Sequence, residues 1–227
     1  MAKKRKNTPK LNPTIATIII LGLLFLGALG IQIPEILQDY FGVETPKTVE
    51  KYPEQKPTTS ETGENPGPID HGLATFTQQE LTSSTNGWIT YGKLDGLERP
   101  TEANALINKK MINSGTKANR DIRPPGFISG LEPHGHSRGH LIGRQFGGSG
   151  DDRQNLVTIY QTPVNSPMMT DYENQIRQAV DSGETVRYRV TPVYNESELM
   201  PKEIHMEAQT IGKNGTINFN VSILNLK

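Results

Sequence analysis

The chain has 227 residues, in which 24 Lys and Arg residues balance 24 Asp and Glu residues, and it contains no cysteine. A chain of this length can bury the core of one catalytic domain and still carry appendages at its ends. Without cysteine, disulfides, thiolate zinc sites and cysteine nucleophiles are excluded, so any metal must be bound by His, Asn, Asp or Glu.

The N-terminal segment has the pattern of a membrane anchor. Residues 1–13 are basic and contain no acid, and residues 14–33 carry no charge. As a helix, this apolar run spans a bilayer core of about 30 Å once. By the positive-inside rule, residues 1–13 are expected to stay in the cytoplasm, and the chain after residue 34 is expected to lie on the outer side of the membrane. The alternative is a cleaved signal peptide and a secreted protein, because the run Ala28-Leu29-Gly30 places small residues where a peptidase cuts.

A tether and one globular domain follow the anchor. Residues 34–69 include a stretch rich in Pro, Thr, Glu and Lys that offers almost no large apolar residue to a core. This composition is typical of a flexible extracytoplasmic spacer. The globular domain is therefore expected to occupy residues 70–227.

In chain order, the first predicted elements of the domain are a strand at residues 87–91 and a helix at residues 101–113. The helix prediction depends on Pro100 before its start and Gly115 after its end. The stretch 123–150 is dense in Gly and Pro, so His134, His136 and His140 are expected on turns and short strands. A short apolar strand is predicted at residues 156–160.

The strongest helix signal covers residues 165–182. Ser166 can cap the helix, Pro167 suits its first position and Gly183 can end it. An apolar stripe recurs at spacings of three and four, formed by Met168, Met169, Tyr172, Ile176, Ala179 and Val180. Glu173 and Arg177 lie on a neighbouring face and are expected to form an i,i+4 pair.

Two half-buried strands are predicted to close the domain. Apolar residues alternate with polar ones over residues 186–190 and again over residues 217–223. The run Lys213-Asn214-Gly215 supplies a hairpin turn before the second strand.

A local excess of positive charge lies in the middle of the chain. Residues 93–144 contain nine basic residues against five acids. Such a stretch either follows a phosphate backbone or forms an ordinary solvated face, and the charge alone does not decide between them.

The chemistry-bearing residues lie between positions 134 and 177. Phosphodiester hydrolysis needs a base for water, a cation for the leaving oxygen and donors for the developing negative charge. His140 titrates near neutrality and so suits the base, and Arg138 is a planar donor that suits a phosphate. Asn165, at the start of the predicted helix, offers an amide oxygen to Mg²⁺, which asks few ligands of the protein. Glu173 lies on the same helix, where it can hold the water shell of the metal.

These residues resemble the DNA/RNA non-specific endonuclease family, and especially the membrane-bound DNA-uptake nucleases of Gram-positive bacteria. The resemblance covers roughly residues 85–225 and depends on His134-Gly-His136-Ser-Arg-Gly-His140-Leu-Ile-Gly, Gly147-Gly148, Asn155-Leu156-Val157, Gln161-Thr162, Asn165 and Tyr172-Glu173.

The resemblance implies an α+β fold with a ββα-metal finger, a central antiparallel sheet and flanking helices. It implies a sequence-non-specific endonuclease that acts on DNA, leaves RNA open as a second substrate, and uses Mg²⁺, with Mn²⁺ as a substitute. The roles implied for individual residues are a catalytic group of His140 as base, Arg138, Glu173 and Arg177; metal binding by Asn165 and Asn155; and auxiliary substrate binding by His134 and Gln161. One departure is Ser137, which stands where the family motif usually has Asp and brings no charge to the site.

Two alternatives stay open, one a different enzyme and one a protein without catalytic activity. His134, His136 and His140 have spacings that also suit a three-histidine zinc hydrolase, which would leave no histidine free as a base. A catalytically inactive surface receptor for nucleic acid is the other alternative.

Overall fold

A six-stranded antiparallel sheet is the largest element of the fold. The computed structural model describes residues 65–130, 132–212 and 215–227. The strands are β1 (Ile69–Gly72), β2 (Trp88–Tyr91), β3 (Ala103–Ile107), β6 (Val186–Val193), β7 (Glu203–Thr210) and β8 (Asn218–Leu224). Their order across the sheet is β1-β8-β7-β6-β3-β2, and each neighbouring pair is antiparallel.

A separate hairpin and one helix form the second part of the fold. Strands β4 (His136–His140) and β5 (Leu156–Tyr160) pair antiparallel, with His136 opposite Tyr160 and His140 opposite Leu156. An irregular helical segment, Gln161–Met169, leads into α1 (Thr170–Asp181) and is extended at Thr162 and Ser166. This order of two strands and a helix confirms the α+β class with a central antiparallel sheet, although α1 is the one regular α-helix in the described ranges.

The core lies between α1 and the large sheet. The predicted stripe of α1 is confirmed, because Ile176, Ala179 and Val180 are buried. Val186, Tyr188 and Val190 alternate along β6 and are fully buried in the same cluster. The apolar stripe of α1 and the alternating apolar residues of β6 therefore contribute to the same core.

The helix predicted at residues 101–113 is wrong. Residues 103–107 form β3, which pairs with β2 on one side and β6 on the other, and only a short 3₁₀ turn, Lys109–Met111, follows it. Ala103, Ala105 and Ile107 are fully buried. Pairing on both edges and burial of the strand outweigh the helical propensity of its alanines.

The other predicted strands are confirmed with small changes of length. Sequence reasoning missed β7, which pairs along its whole length with β6 and from Glu203 to Gln209 with β8. Lys213 and Asn214 of the predicted turn lie outside the described residues. Gly215 has space only for a hydrogen, because a Cβ there would lie 2.3 Å from Cβ of Thr210.

The ends of the 165–182 helix differ in how well they follow the prediction. Gly183 follows the helix with a φ of +97° and ends it as predicted. Ser166 has an extended backbone but makes no side-chain cap in the described structure. Instead, the Thr170 hydroxyl donates to the Asn165 carbonyl over 2.8 Å.

The predicted anchor at residues 14–33 lies outside the described residues. Within the described ranges, no helix is both long and apolar enough to cross a membrane. The packed chain includes Asn65, which is 5% exposed and donates to the carbonyls of Leu224 and Leu226.

Candidate active site

A cleft of about 380 Å³ lies between the end of β4 and the start of α1. It collects four of the predicted site residues in one place. Its lining is formed by Arg138, His140, Gly143, Arg144, Gln145, Asn165, Met169, Thr170 and Glu173.

His140 is held in one tautomer at the edge of this cleft. Its Nε2 lies 3.0 Å from the carbonyl oxygen of Thr116. Because a carbonyl only accepts, Nε2 carries the proton and Nδ1 keeps the lone pair. Burial lowers the pKa of His140; the bond to Thr116 opposes this and the positive charge of Arg144 adds to it. The ring is therefore neutral at neutral pH and suited to accept a proton at Nδ1.

Asn165 is oriented by a neighbour on the same segment. Its Nδ2 donates to Oε1 of Gln161 over 3.0 Å, which leaves Oδ1 as the acceptor available to a ligand in the cleft. Gln161 itself is fixed by its backbone N–H, which donates to the Gly135 carbonyl over 2.7 Å. Gln161 is thus placed to orient Asn165, whereas a role in contacting substrate was predicted.

Glu173 lies in the wall of the cleft beside a glycine that leaves space for it. A Cβ at Gly143 would lie 2.6 Å from Oε1 of Glu173, so a larger residue there would collide with the carboxyl group. Gln145 donates to Oε2 over 3.3 Å. Burial raises the pKa of Glu173 to about 7, against the opposing hydrogen bonds from Gln145 and Gly143.

The donors in this cleft fit a hydrated Mg²⁺. The amide oxygen of Asn165 and the carboxylate of Glu173 are hard oxygen donors, and Mg²⁺ keeps several of its waters when it binds proteins. The high pKa of Glu173 marks a carboxylate that lacks a cationic partner among the described side chains. A cation would supply that partner.

The three-histidine zinc site does not form. Nδ1 of His136 accepts a hydrogen bond from the backbone N–H of Ile128 over 3.1 Å, and Nε2 of His140 is occupied by Thr116. Among the described residues, no group of three or more His, Asp or Glu side chains is arranged to hold a metal ion.

Arg138 lines the cleft but is largely committed to the loop above β4. Its Nε donates to the Ile122 carbonyl over 2.6 Å, and one terminal nitrogen donates to the Arg120 carbonyl over 2.9 Å. His136, Arg138 and His140 alternate on one face of β4 and together fasten residues 116–128, the 116–128 loop. Arg138 therefore positions this loop and retains further N–H groups for a phosphate.

Asn155 does not reach the cleft, so the prediction of a second metal-binding asparagine is corrected. It is 0% exposed. Its Oδ1 accepts from the Ile142 N–H over 2.9 Å, and its Nδ2 donates to the carbonyls of Ile142 and Ser149. The side chain holds the connection between β4 and β5.

Arg177 and His134 also lie outside the cleft lining. Arg177 pairs with Asp181 over 2.7 Å and donates to Asn113, so the predicted pair with Glu173 is wrong. The ring of His134 lies 5.9 Å from that of His136.

Sequence reasoning missed three contributors to the site. They are the Thr116 carbonyl, the Gln145 amide and the exposed Arg144. A backbone carbonyl group is present at every residue, so its role cannot be predicted from residue type. Arg144 was counted only as one of the nine basic residues between positions 93 and 144.

Comparison with solved structures gives the same fold in known nucleases. NucA from Streptococcus agalactiae with magnesium ion bound matches with a TM-score of 0.61 and 25% identity, covering 71% of this chain and 82% of that one. The same protein with no metal bound matches with a TM-score of 0.54 and 28% identity, covering 66% and 75%. Sda1 nuclease with bound zinc ion matches with a TM-score of 0.50 and 23% identity, covering 60% and 73%.

Comparison with protein families points to the same enzymes. The family described as DNA/RNA non-specific endonuclease matches residues 79–212, which include β4, β5, α1 and the whole cleft lining. This match covers more than half of the chain. The chain belongs to the DNA/RNA non-specific endonuclease family and is a nuclease.

Proposed function

We propose that this nuclease is a Mg²⁺-dependent, sequence-non-specific endonuclease that hydrolyses phosphodiester bonds of DNA, with RNA as a second substrate. One observation carries the proposal: His140 with Nε2 bonded to Thr116, the oriented Asn165 amide and the half-buried Glu173 carboxyl line the same cleft. The magnesium ion bound by NucA from Streptococcus agalactiae supports the choice of metal.

His140 is the general base of the proposed reaction. Its Nδ1 takes a proton from a water molecule, which attacks phosphorus in line, and the Thr116 carbonyl stabilises the imidazolium through Nε2–H. The exposed Arg144 and the remaining N–H groups of Arg138 donate to the phosphate oxygens.

Asn165 would hold the metal through Oδ1, and Glu173 would accept hydrogen bonds from its water shell. When bound, Mg²⁺ supplies positive charge that stabilises the departing 3′ oxygen, and the products carry 5′ phosphates. Contacts to phosphate and metal carry no information on base identity, which accounts for the lack of sequence specificity.

Residues 14–33 are proposed to anchor the chain in the membrane, with residues 1–13 in the cytoplasm and the nuclease domain outside. The charge pattern of the sequence supports this orientation. Cleavage of the same segment would give a secreted enzyme.

The proposal is tested by plasmid cleavage with the purified chain in Mg²⁺, in Mn²⁺ and in EDTA. We expect cleavage with either metal, none in EDTA, and a loss of at least a hundredfold in His140→Ala, because general-base catalysis contributes about 10²–10⁴-fold. RNA of similar length, offered in parallel, tests the second substrate.

His71→Ala is a matched control, because His71 is exposed on β1 and contacts Ser222. It should cut as fast as the parent. If His140→Ala also does so, the base is assigned wrongly. A parent that binds DNA but never cuts it would favour the inactive receptor.

A further inference from the structure

A row of aromatic rings continues from the cleft along one face of β4. The guanidinium carbon of Arg138, which lines the cleft, lies 4.1 Å from the ring centroid of Phe127. The Phe127 ring lies 6.3 Å from His136, and His136 lies 5.6 Å from Tyr160. The His134 ring centroid lies 5.9 Å from that of His136. We call Phe127, His134, His136 and Tyr160 the aromatic row.

Strand geometry places this row at a fixed distance from the catalytic base. His136 and His140 lie four residues apart on β4, so their side chains share a face and are separated by about 13 Å. Tyr160 lies opposite His136 in the neighbouring strand. A single strand that leaves the cleft along β4 reaches the row after a few nucleotides.

The residues of the row lie at the surface of the domain. All four residues are partly exposed, whereas the core aromatics Phe146 and Tyr188 are 0% exposed. Burial lowers the pKa of His136, and electrostatic interactions with His134 and Lys227 add to this, so its ring is uncharged at neutral pH. The row therefore consists of uncharged, partly exposed aromatic side chains next to the cleft.

Positive charges lie beside the row and in the 116–128 loop that packs against β4. Nζ of Lys227 lies 5.7 Å from the Tyr160 centroid, and Arg120 and Arg123 are exposed in the 116–128 loop. The acids of the same region are Asp121 and Glu132, both exposed. Together with Arg138, the cations outnumber these acids, which suits a polyanion.

We propose that the aromatic row is a nucleobase-stacking subsite that binds unpaired bases of a single strand leaving the active-site cleft. This inference rests on the proposed nuclease function and names the form of its preferred substrate. Stacking on aromatic side chains tolerates any base, in keeping with cleavage without sequence preference. Bases within a duplex stack on one another and are not free to stack on the row, so single-stranded nucleic acid should bind more tightly than duplex.

The test measures binding of the full chain in EDTA, where cleavage is not expected. Fluorescence anisotropy compares a labelled twelve-nucleotide thymidine strand with a hairpin duplex at one fixed salt concentration. Tyr160→Leu removes the ring and should weaken binding of the single strand about tenfold, since one base stack on an aromatic side chain is worth about 1–3 kcal/mol. Tyr160→Phe keeps the ring and should bind like the parent.

Three results would overturn the subsite: Tyr160→Leu binding the single strand as tightly as the parent, an equal loss for duplex and single strand, or an equal loss in Tyr160→Phe. An equal loss for both forms would indicate that the row supports the fold or contacts the backbone. Because binding in EDTA needs no catalysis, failure of the subsite is separate from failure of plasmid cleavage in Mg²⁺.

Discussion

At the scale of single residues, Asn165 depends on Gln161 for the direction of its amide. The bond from Nδ2 to Oε1 of Gln161 is what leaves Oδ1 available to a metal. Gln161→Leu removes the acceptor and lets the amide rotate. We expect the Mg²⁺ affinity to fall about tenfold or more, because groups that orient metal ligands typically contribute about 10–100-fold. Isothermal titration of the full chain with Mg²⁺ measures this change.

Gln161→Glu is the matched variant, because it keeps the acceptor oxygen. It should retain most of the Mg²⁺ affinity. If Gln161→Leu instead binds Mg²⁺ like the parent while cleaving DNA more slowly, Gln161 contacts substrate, as the family resemblance implied.

The sequence predicted which residue types carry the chemistry of the site, but not which of two similar residues reaches the cleft. His140, Arg138, Asn165 and Glu173 were predicted, and the structure brings all four to one cleft. Asn155 and Asn165 are the same residue type at similar positions beside strand and helix. Only burial and hydrogen bonding separate them: Asn155 is sealed by three backbone bonds, and Asn165 is partly exposed.

At the scale of elements, Asn155 holds the connection between β4 and β5. Asn155→Leu leaves the N–H and C=O of Ile142 and the C=O of Ser149 without their partner. We expect the free energy of unfolding to fall by about 3 kcal/mol, because each unsatisfied buried group costs about 1–3 kcal/mol. Urea denaturation measures it.

The loss of stability should be the same in EDTA and in Mg²⁺ if the role of Asn155 is structural. The exposed Asn195 offers a control, and Asn195→Leu should change stability by less than about 0.5 kcal/mol. A loss for Asn155→Leu that appears only in Mg²⁺ would restore the metal-binding role.

Helices and strands whose apolar residues recur at a regular spacing were predicted correctly. Strands whose burial depends on the strands packed beside them were not. The stripe of α1 and the alternation of β6 and β8 each bury one face, so their patterns are visible in one dimension. Residues 103–107 are covered on both faces and paired on both edges, which removes the alternation. The central strand β7 mixes buried apolar residues with the buried Glu207, which Thr75 and Arg189 satisfy from distant parts of the chain.

At the scale of the whole molecule, two groups of the cleft oppose each other in the pH dependence of stability. Glu173 has a folded pKa of about 7 against an ordinary value of 4.5, so the folded protein holds a proton that the unfolded chain releases. Its contribution is complete below about pH 4.5 and is lost as the pH rises through 7. His140 has a folded pKa below 6.5, so its contribution is present above that pH and is lost on acidification.

The stabilisation of the fold by Mg²⁺ should depend on pH through the ionisation of Glu173. Mg²⁺ favours the ionised form of Glu173, so protons and metal compete for the cleft, and Mg²⁺ stabilises the fold by mass action in proportion to its affinity. We therefore expect the rise in melting temperature on adding Mg²⁺, relative to EDTA, to be larger at pH 7.5 than at pH 5.5. In Glu173→Gln, which cannot ionise, that difference should shrink, while in Glu173→Asp, which still ionises, it should persist. A melting-temperature shift in the parent that is the same at both pH values would show that Glu173 takes no part in holding the metal.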